Sequence, residues 1–135
     1  MLTVVAYWDS AQLPHDLEWR VWRQLRGAYG VDRFCFVPAV EGIAVDCFDD
    51  MPTAVEATRG VKVFLEPRGS QRLVDVPKGD IVLVLGSTAH SNYALADPSR
   101  GDMLVGLPTK RPTDLYGVSA GAIAIAELWN LGKLA

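Results

Sequence analysis

The stretch 80-DIVLVLGS-87 carries the strongest indication of the fold. Residues 81–85 are continuously apolar, which is typical of a strand covered on both faces, as in the centre of a parallel sheet. Gly86 ends the run, and a polar loop follows from Ser87. Because ligands of open α/β sheets bind beyond the carboxyl ends of the strands, we expect a binding site just after Leu85.

Other strands and helices alternate along the chain on both sides of this run. Short apolar segments predict strands at Leu2–Tyr7, Arg33–Val37, Val61–Leu65 and Met103–Leu107. Helical spacing and stop signals predict helices from about Pro14 to Tyr29, from Pro52 to about Thr58 and from Leu115 to Leu131. Residues 43–48 are compatible with a short strand or an irregular segment, residues 71–76 with a short strand or an edge, and residues 93–96 with a helical turn. The alternation predicts an α/β fold in one domain over residues 1–135: a mainly parallel sheet with helices on both faces.

A second strand end resembles the first in its local sequence. Leu107 and Pro108 close the last predicted strand, and a loop and the start of a helix follow. The beginning of a helix offers unpaired N–H groups to a polar ligand. We therefore expect the strands at 80–85 and 103–107 to be parallel neighbours. The segments after Leu85 and Leu107 and the start of the last helix would then form one pocket.

Composition and charge exclude several classes of protein. Half of the 135 residues are hydrophobic, and the net charge is −3, so a general polyanion binder is not indicated. Five acidic residues and no basic residue lie between Glu41 and Glu56, which leaves the remainder at net +2. No apolar run reaches the roughly 18 residues of a membrane helix, and the N-terminus lacks the basic region of a signal peptide. Cys35 and Cys47 predict reduced thiols in a cytoplasmic protein, and no metal-ligand spacing is present.

Three segments carry a family resemblance. Ala28–Val37 (AYGVDRFCFV) is an aromatic-Gly-Val-Asp sequence followed by a strand, and Asp80–Ser87 is a hydrophobic strand that ends in Gly. Leu107 and Pro108 precede Leu115–Glu127 (LYGVSAGAIAIAE), an alanine-rich segment with a late Glu. In this order and spacing, which cover nearly the whole chain, they resemble the three motifs of SPOUT-class RNA methyltransferases of the SpoU type.

The resemblance implies a C-terminal trefoil knot and S-adenosylmethionine as the cofactor. It implies RNA, either tRNA or rRNA, as the substrate, most simply methylated on a ribose 2′-hydroxyl. It also implies a homodimer packed through the C-terminal helix, and that helix has almost no polar face, which by itself predicts burial in the core or against a second subunit. Transferred by position, the cofactor contacts would be Leu85, Gly86, Leu107, Leu115, Tyr116 and Gly117.

The catalytic positions of the family differ in this chain. The places of the first-motif Asn and Arg fall near Glu18 and Gln24, so the neighbouring Arg23 is the candidate catalytic residue. The Gly-x-Glu of the second motif is Gly-Ser-Thr at residues 86–88, and Tyr116 stands at the Asn of the third. These departures keep open a second function, a dimeric protein that binds S-adenosylmethionine without catalysis.

Basic side chains supply the candidate RNA contacts. Arg20 and Arg26 share one face of the first predicted helix with Arg23 and could meet phosphates. The alternative is a solvated face whose cations pair with acidic side chains such as Glu18. Lys110 and Arg111 lie in the loop after the last strand, where they could position RNA or be ordinary loop charges. His90 follows the strand at 80–85 and is compatible with acid/base chemistry, with stacking on a base or with a plain surface position.

A third function rests on residues 117–121, GVSAG, which match the nucleophile elbow G-x-S-x-G. The segment also resembles serine peptidases of the dipeptidase E and cyanophycinase type. An elbow needs a strand directly before the serine and, in the hydrolase order, a histidine after it. The residues before Ser119 are typical of a loop, and no histidine follows. A serine hydrolase is therefore the least favoured of the three functions.

Overall fold

A parallel sheet forms the centre of the molecule. The computed structural model describes residues 1–8, 14–43, 45–87, 90–111 and 113–134. Within them the strands are β1 (Leu2–Tyr7), β2 (Arg33–Val37), β3 (Asp46–Cys47), β4 (Val61–Leu65), β5 (Ile81–Leu85) and β6 (Met103–Val105). The helices are α1 (His15–Tyr29), α2 (Met51–Glu56) and α3 (Gly117–Asn130). The strand order is β3-β2-β1-β5-β4-β6, and each of these pairings is parallel.

Alternate side chains of the central strands enter two separate apolar cores. In β1, Val4 lies in the core that includes side chains of α1 and α3, whereas Val5 lies in the core that includes α2. In β5, Leu83 and Val84 divide in the same way. The alternation follows from the two-residue period of a strand, and the continuous apolar sequence of β5 follows from its having a core on each face. The predicted parallel sheet with helices on both faces is confirmed.

The expected pairing of the strands at 80–85 and 103–107 is wrong. Both belong to the sheet and run parallel, but β4 lies between β5 and β6. Residues 63–65 of β4 are buried, as expected for a strand with a neighbour on each side, whereas β6 spans only three residues. A strand this short forms few ladder hydrogen bonds and fits the edge of the sheet.

The connection from β4 to β5 covers the free side of β6. The Gln71 side chain accepts a hydrogen bond from the Leu104 N–H (3.0 Å), and the Gln71 N–H donates to the Leu104 carbonyl (3.0 Å). Gln71 thus forms an isolated bridge, while Leu73–Asp75 form one turn of 3₁₀ helix. Of the segments whose structure the sequence left open, residues 71–76 therefore contain no full strand, and the described part of residues 43–48 contains the two-residue strand Asp46–Cys47.

Two boundaries near the C-terminus differ from the prediction. Strand β6 ends at Val105 and α3 begins at Gly117, so Leu107 and Leu115 both lie on connecting segments. Helix α3 is also less covered than its sequence suggests, since the Trp129 side chain is 59% exposed. Its core-facing side is tightly packed, because a Cβ atom at Gly121 would lie 2.7 Å from Cη2 of Trp22 on α1.

The described residues contain two free cysteines, with Cys35 buried in β2 and Cys47 partly buried. None of the described helices is long and apolar enough to cross a membrane. The same part of the chain holds no cluster of His, Cys, Asp and Glu side chains suited to a metal ion.

Candidate functional site

A cleft of about 740 Å³ opens at the carboxyl ends of β4, β5 and β6, next to the first turn of α3. It lies at the end of the sheet where the strands finish, which is where ligands of parallel α/β folds bind. Its lining residues come from four parts of the chain: residues 65–68 at the end of β4, residues 85–87, 90, 91 and 93 after β5, residues 107 and 109 after β6, and residues 113–115, 117 and 120 around the start of α3.

Five of the six cofactor contacts expected from the sequence line this cleft. They are Leu85, Gly86, Leu107, Leu115 and Gly117. The leucines supply apolar surface from three different segments. A planar aromatic ligand could pack between such surfaces, because ligand pockets are lined mainly by apolar side chains. The sixth residue, Tyr116, is 37% exposed and is not among the lining residues.

Gly86 allows the loop after β5 to fold tightly beside the cleft. A Cβ atom at this position would lie 2.5 Å from the His90 carbonyl oxygen. The Ser87 N–H donates to that same oxygen (2.8 Å), and the His90 N–H donates to the Ser87 hydroxyl (3.1 Å). Any side chain at position 86 would force this turn to move.

Glu66 is a lining residue that the sequence analysis missed. Its carboxylate accepts hydrogen bonds from the Asn92 N–H at Oε1 (2.9 Å) and from the Ser91 hydroxyl at Oε2 (3.1 Å). The Asn92 side-chain amide in turn donates to the Leu85 carbonyl (3.0 Å), so the ends of β4 and β5 are joined by one network. The signal for it in the sequence is a charged residue directly after the apolar run of β4.

An aromatic pair lies at the same edge of the sheet. The His90 ring stacks on the ring of Tyr7 with centroids 4.6 Å apart and planes 25° apart, and His90 lines the cleft. Burial, and secondarily the negative charge of Asp50, raise the pKa of Tyr7, so its hydroxyl keeps its proton near neutral pH.

The cations expected to contact RNA lie outside the cleft. Helix α1 starts near the carboxyl ends of the strands, where the His15 and Trp8 rings are 5.1 Å apart. It runs towards the opposite edge, so the Arg26 guanidinium lies 4.8 Å from the ring of Phe34 near the start of β2. Exposed side chains that do not line the cleft include Arg20, Arg23, Arg26, Lys110 and Arg111.

The acidic residue closest in sequence to these arginines is not on a solvated face. Glu18 is buried, and its Oε2 accepts a hydrogen bond from the Trp22 indole N–H (3.3 Å). Glu18, one of the acidic residues that the alternative interpretation offered as partners for the arginines, therefore lies inside the core that α1 helps to form.

The G-x-S-x-G segment does not form a nucleophile elbow. Ser119 lies in the first turn of α3, and residues 113–116 before it are not a strand. The sharp strand-to-helix turn that exposes a hydrolase serine is absent from this part of the chain.

Three solved structures that share this fold are described in connection with RNA methylation. A protein from Bacillus anthracis, assigned provisionally as an RNA methyltransferase, superposes with a TM-score of 0.70 at 14% identity over 97% of this chain and 94% of its own. A structure on the 2-OH methylation of C/U34 on tRNA gives 0.69 at 17% identity over 97% and 95%. A Porphyromonas gingivalis protein, assigned provisionally as an rRNA methyltransferase, gives 0.62 at 16% identity over 96% and 67%.

At these identities the likeness shows a shared fold. No protein-family model matches the chain, and no curated protein matches its sequence. Because one fold can carry many functions, the function has to be argued from the cleft itself.

Proposed function

We propose that this protein binds S-adenosylmethionine in the cleft and transfers its methyl group to RNA, most simply to a ribose 2′-hydroxyl. The observation that carries the proposal is that the segments after Leu85 and Leu107 and the start of α3 line one cavity. These are the segments to which the motif resemblance assigns the cofactor, and the superposed structures of the same fold are RNA methyltransferases.

The residues of the cleft fit this cofactor. Its volume of about 740 Å³ lies within the range of sites that hold small-molecule cofactors. Leu85, Leu107 and Leu115 would hold an adenine ring, and the backbone near Gly86 and Gly117 lies at the cavity wall. Polar side chains, among them the carboxylate of Glu66, would hold the hydroxyl groups and the charged end.

When bound, S-adenosylmethionine supplies an electrophilic methyl group on a positively charged sulfur. The chain would orient the acceptor hydroxyl in line with that methyl group and exclude water. It would also provide a base near the hydroxyl proton. His90 is a candidate base because it is the one imidazole among the described lining residues.

Arg23 remains the proposed polar group nearest the reacting hydroxyl. It is exposed on α1 and does not line the cleft of its own chain, so we propose that it acts from the second subunit of a homodimer. Exposed apolar side chains on α1 and α3, Leu17 and Trp129, support a dimer through these helices. The trefoil knot and the cytoplasmic location stay predictions of the sequence.

RNA would lie across both subunits, because the proposed contacts lie on α1 and on the loop after β6, outside the cleft of their own chain. Arg20, Arg26, Lys110 and Arg111 would contact phosphates rather than bases, so their contribution should fall as salt concentration rises.

Calorimetric titration with S-adenosylmethionine and S-adenosylhomocysteine tests the binding step. We expect the wild type to bind both ligands. Leu107→Ala removes one apolar wall and should raise the dissociation constant roughly tenfold. Ile123→Ala is the matched control, since Ile123 is exposed on α3 and does not line the cleft. If the wild type binds neither ligand at a concentration of about 1 mM, the proposal is wrong.

Transfer of a labelled methyl group to total RNA separates this function from its alternative. Labelled RNA whose 2′-O-methyl nucleosides are recovered after digestion supports catalysis. Binding of S-adenosylmethionine without transfer to any RNA would instead support the non-catalytic binding protein, for which the changed motif positions near Glu18 and at Tyr116 are the argument.

A further inference from the structure

Glu66 is a buried acidic residue in the lining of the cleft. It lies directly after β4, the strand between β5 and β6, and is therefore central among the segments that line the cavity. The residue is 8% exposed. Among the described residues it takes part in no ion pair, so neutral donors alone offset its charge.

The two hydrogen bonds to Glu66 do not exhaust its capacity. Oε1 accepts from the Asn92 N–H and Oε2 from the Ser91 hydroxyl, one bond to each oxygen. An ionised carboxylate can accept about four hydrogen bonds. A buried charge with unused acceptor sites is costly unless another donor completes it, and the cavity is where a ligand could supply that donor.

We propose that Glu66 recognises the two vicinal ribose hydroxyls of the nucleoside in the cleft, an inference that rests on the proposed function. A vicinal diol presents two neutral donors side by side, which matches one free acceptor site on each carboxylate oxygen. In dinucleotide-binding α/β folds, an acidic residue hydrogen-bonds the 2′-hydroxyl of the ribose, so a carboxylate is a known partner for this group. The adenine is left to the leucines, which have no hydrogen-bonding side-chain atoms.

Two ligands and three proteins test this assignment by calorimetry. The ligands are S-adenosylhomocysteine and its 2′-deoxyribose analogue, and the proteins are wild type, Glu66→Gln and Ser91→Ala. We expect wild type to bind the deoxy analogue about 10- to 100-fold more weakly, the range for a hydrogen bond to a charged group. Glu66→Gln should weaken S-adenosylhomocysteine by a similar factor and bind the two ligands within about threefold of each other.

Ser91→Ala is the control for a purely structural role. It removes the hydroxyl that holds the loop to Glu66 but keeps the carboxylate. It should therefore weaken both ligands equally and preserve the preference for ribose over deoxyribose. If circular dichroism shows that Glu66→Gln is unfolded, Glu66→Asp replaces it. That variant keeps the charge but moves it away from the ligand. It should show a reduced preference for ribose over deoxyribose.

The outcomes distinguish a failure of the proposed function from a failure of the ribose assignment. Wild type that binds neither ligand removes the proposed function and this inference together. Wild type that binds both ligands equally leaves the function standing and overturns the ribose assignment. An equal loss for both ligands in Glu66→Gln would reduce Glu66 to a loop anchor. S-adenosylmethionine is titrated as a third ligand, and a loss in Glu66→Gln that exceeds the loss for S-adenosylhomocysteine would place the carboxylate against the sulfonium charge. Either of these two results in Glu66→Gln overturns the assignment.

Discussion

The thiol of Cys35 lies in the core between the sheet and α2, fully removed from solvent. Burial raises its pKa to about 11 from the ordinary 9.0, with Arg33 opposing the shift and Asp46 and Cys47 adding to it. The unfolded chain therefore loses this proton above about pH 9 while the folded chain retains it. We predict that this contribution to stability is complete below about pH 9 and is lost by about pH 11, with a slope of at most about 1.4 kcal/mol per pH unit.

Urea unfolding across this range, in wild type and in Cys35→Ala, isolates the contribution of the thiol. Titration of tyrosines and lysines affects both proteins, so only the difference between their unfolding free energies carries the Cys35 signal. A difference that stays constant from about pH 7 to about pH 11 would show that the thiol ionises equally in both states.

The residues of the cleft show what single positions in the sequence can and cannot reveal. Leu85, Gly86 and Leu107 were predictable because each lies where an apolar run stops, and strand ends meet at one edge of a parallel sheet. Glu66 was missed because its strand was not expected between the two predicted neighbours. Tyr116 was assigned by motif position, and motif position does not determine where a side chain at a helix start points.

At the level of the elements, α1 and α3 approach closely because Gly121 has no side chain. A Cβ atom there would lie 2.7 Å from Cη2 and 3.0 Å from Cζ3 of the Trp22 ring, which is tethered by its bond to Glu18. We predict that Gly121→Ala destabilises the protein by about 1–3 kcal/mol. That cost should exceed the roughly 1 kcal/mol by which alanine favours a helix over glycine.

A double-mutant cycle with Trp22→Phe checks the cause. Phenylalanine lacks the two atoms that the new methyl group would meet, so the double variant should lose less stability than the sum of the two single variants. Chemical denaturation of the four proteins measures the coupling. Additive losses would assign the cost of Gly121→Ala to some other contact, such as Leu85 Cδ1 at 3.2 Å.

The order of the strands shows why local sequence underdetermines a sheet. Each apolar run predicted a strand, and the observed bounds of β1, β2 and β4 are those expected. Which strands become neighbours depends on the edge of the sheet that is free when each strand joins it. The segments that connect the strands determine which edge this is. The contacts between Gln71 and Leu104, which cover the outer side of β6, link residues 33 positions apart and leave no local pattern.

The whole molecule combines a cleft at one edge of the sheet with two helices on a single face. The cleft needs segments from three strand ends and from the start of α3, so residues up to Ala120 complete a site that begins with β4. The same helix presents Trp129 to solvent, and α1 presents Leu17. Exposed apolar side chains on both helices are the basis for predicting an interface between two copies of the chain.

We predict that the chain is a homodimer in solution, with twice the 14.7 kDa mass of one chain. Sedimentation equilibrium of the wild type should give this mass, and Trp129→Glu should give the monomer mass, because a charge cannot be buried unpaired in an apolar interface. Tyr93→Glu is the control, since Tyr93 is as exposed as Trp129 but lies on the connection between β5 and β6. Because both side chains are exposed, neither substitution should change the free energy of unfolding of the monomer by more than about 0.5 kcal/mol. A monomeric wild type at concentrations well above those of a methyl-transfer assay would remove the dimer, and with it the delivery of Arg23 from a second subunit.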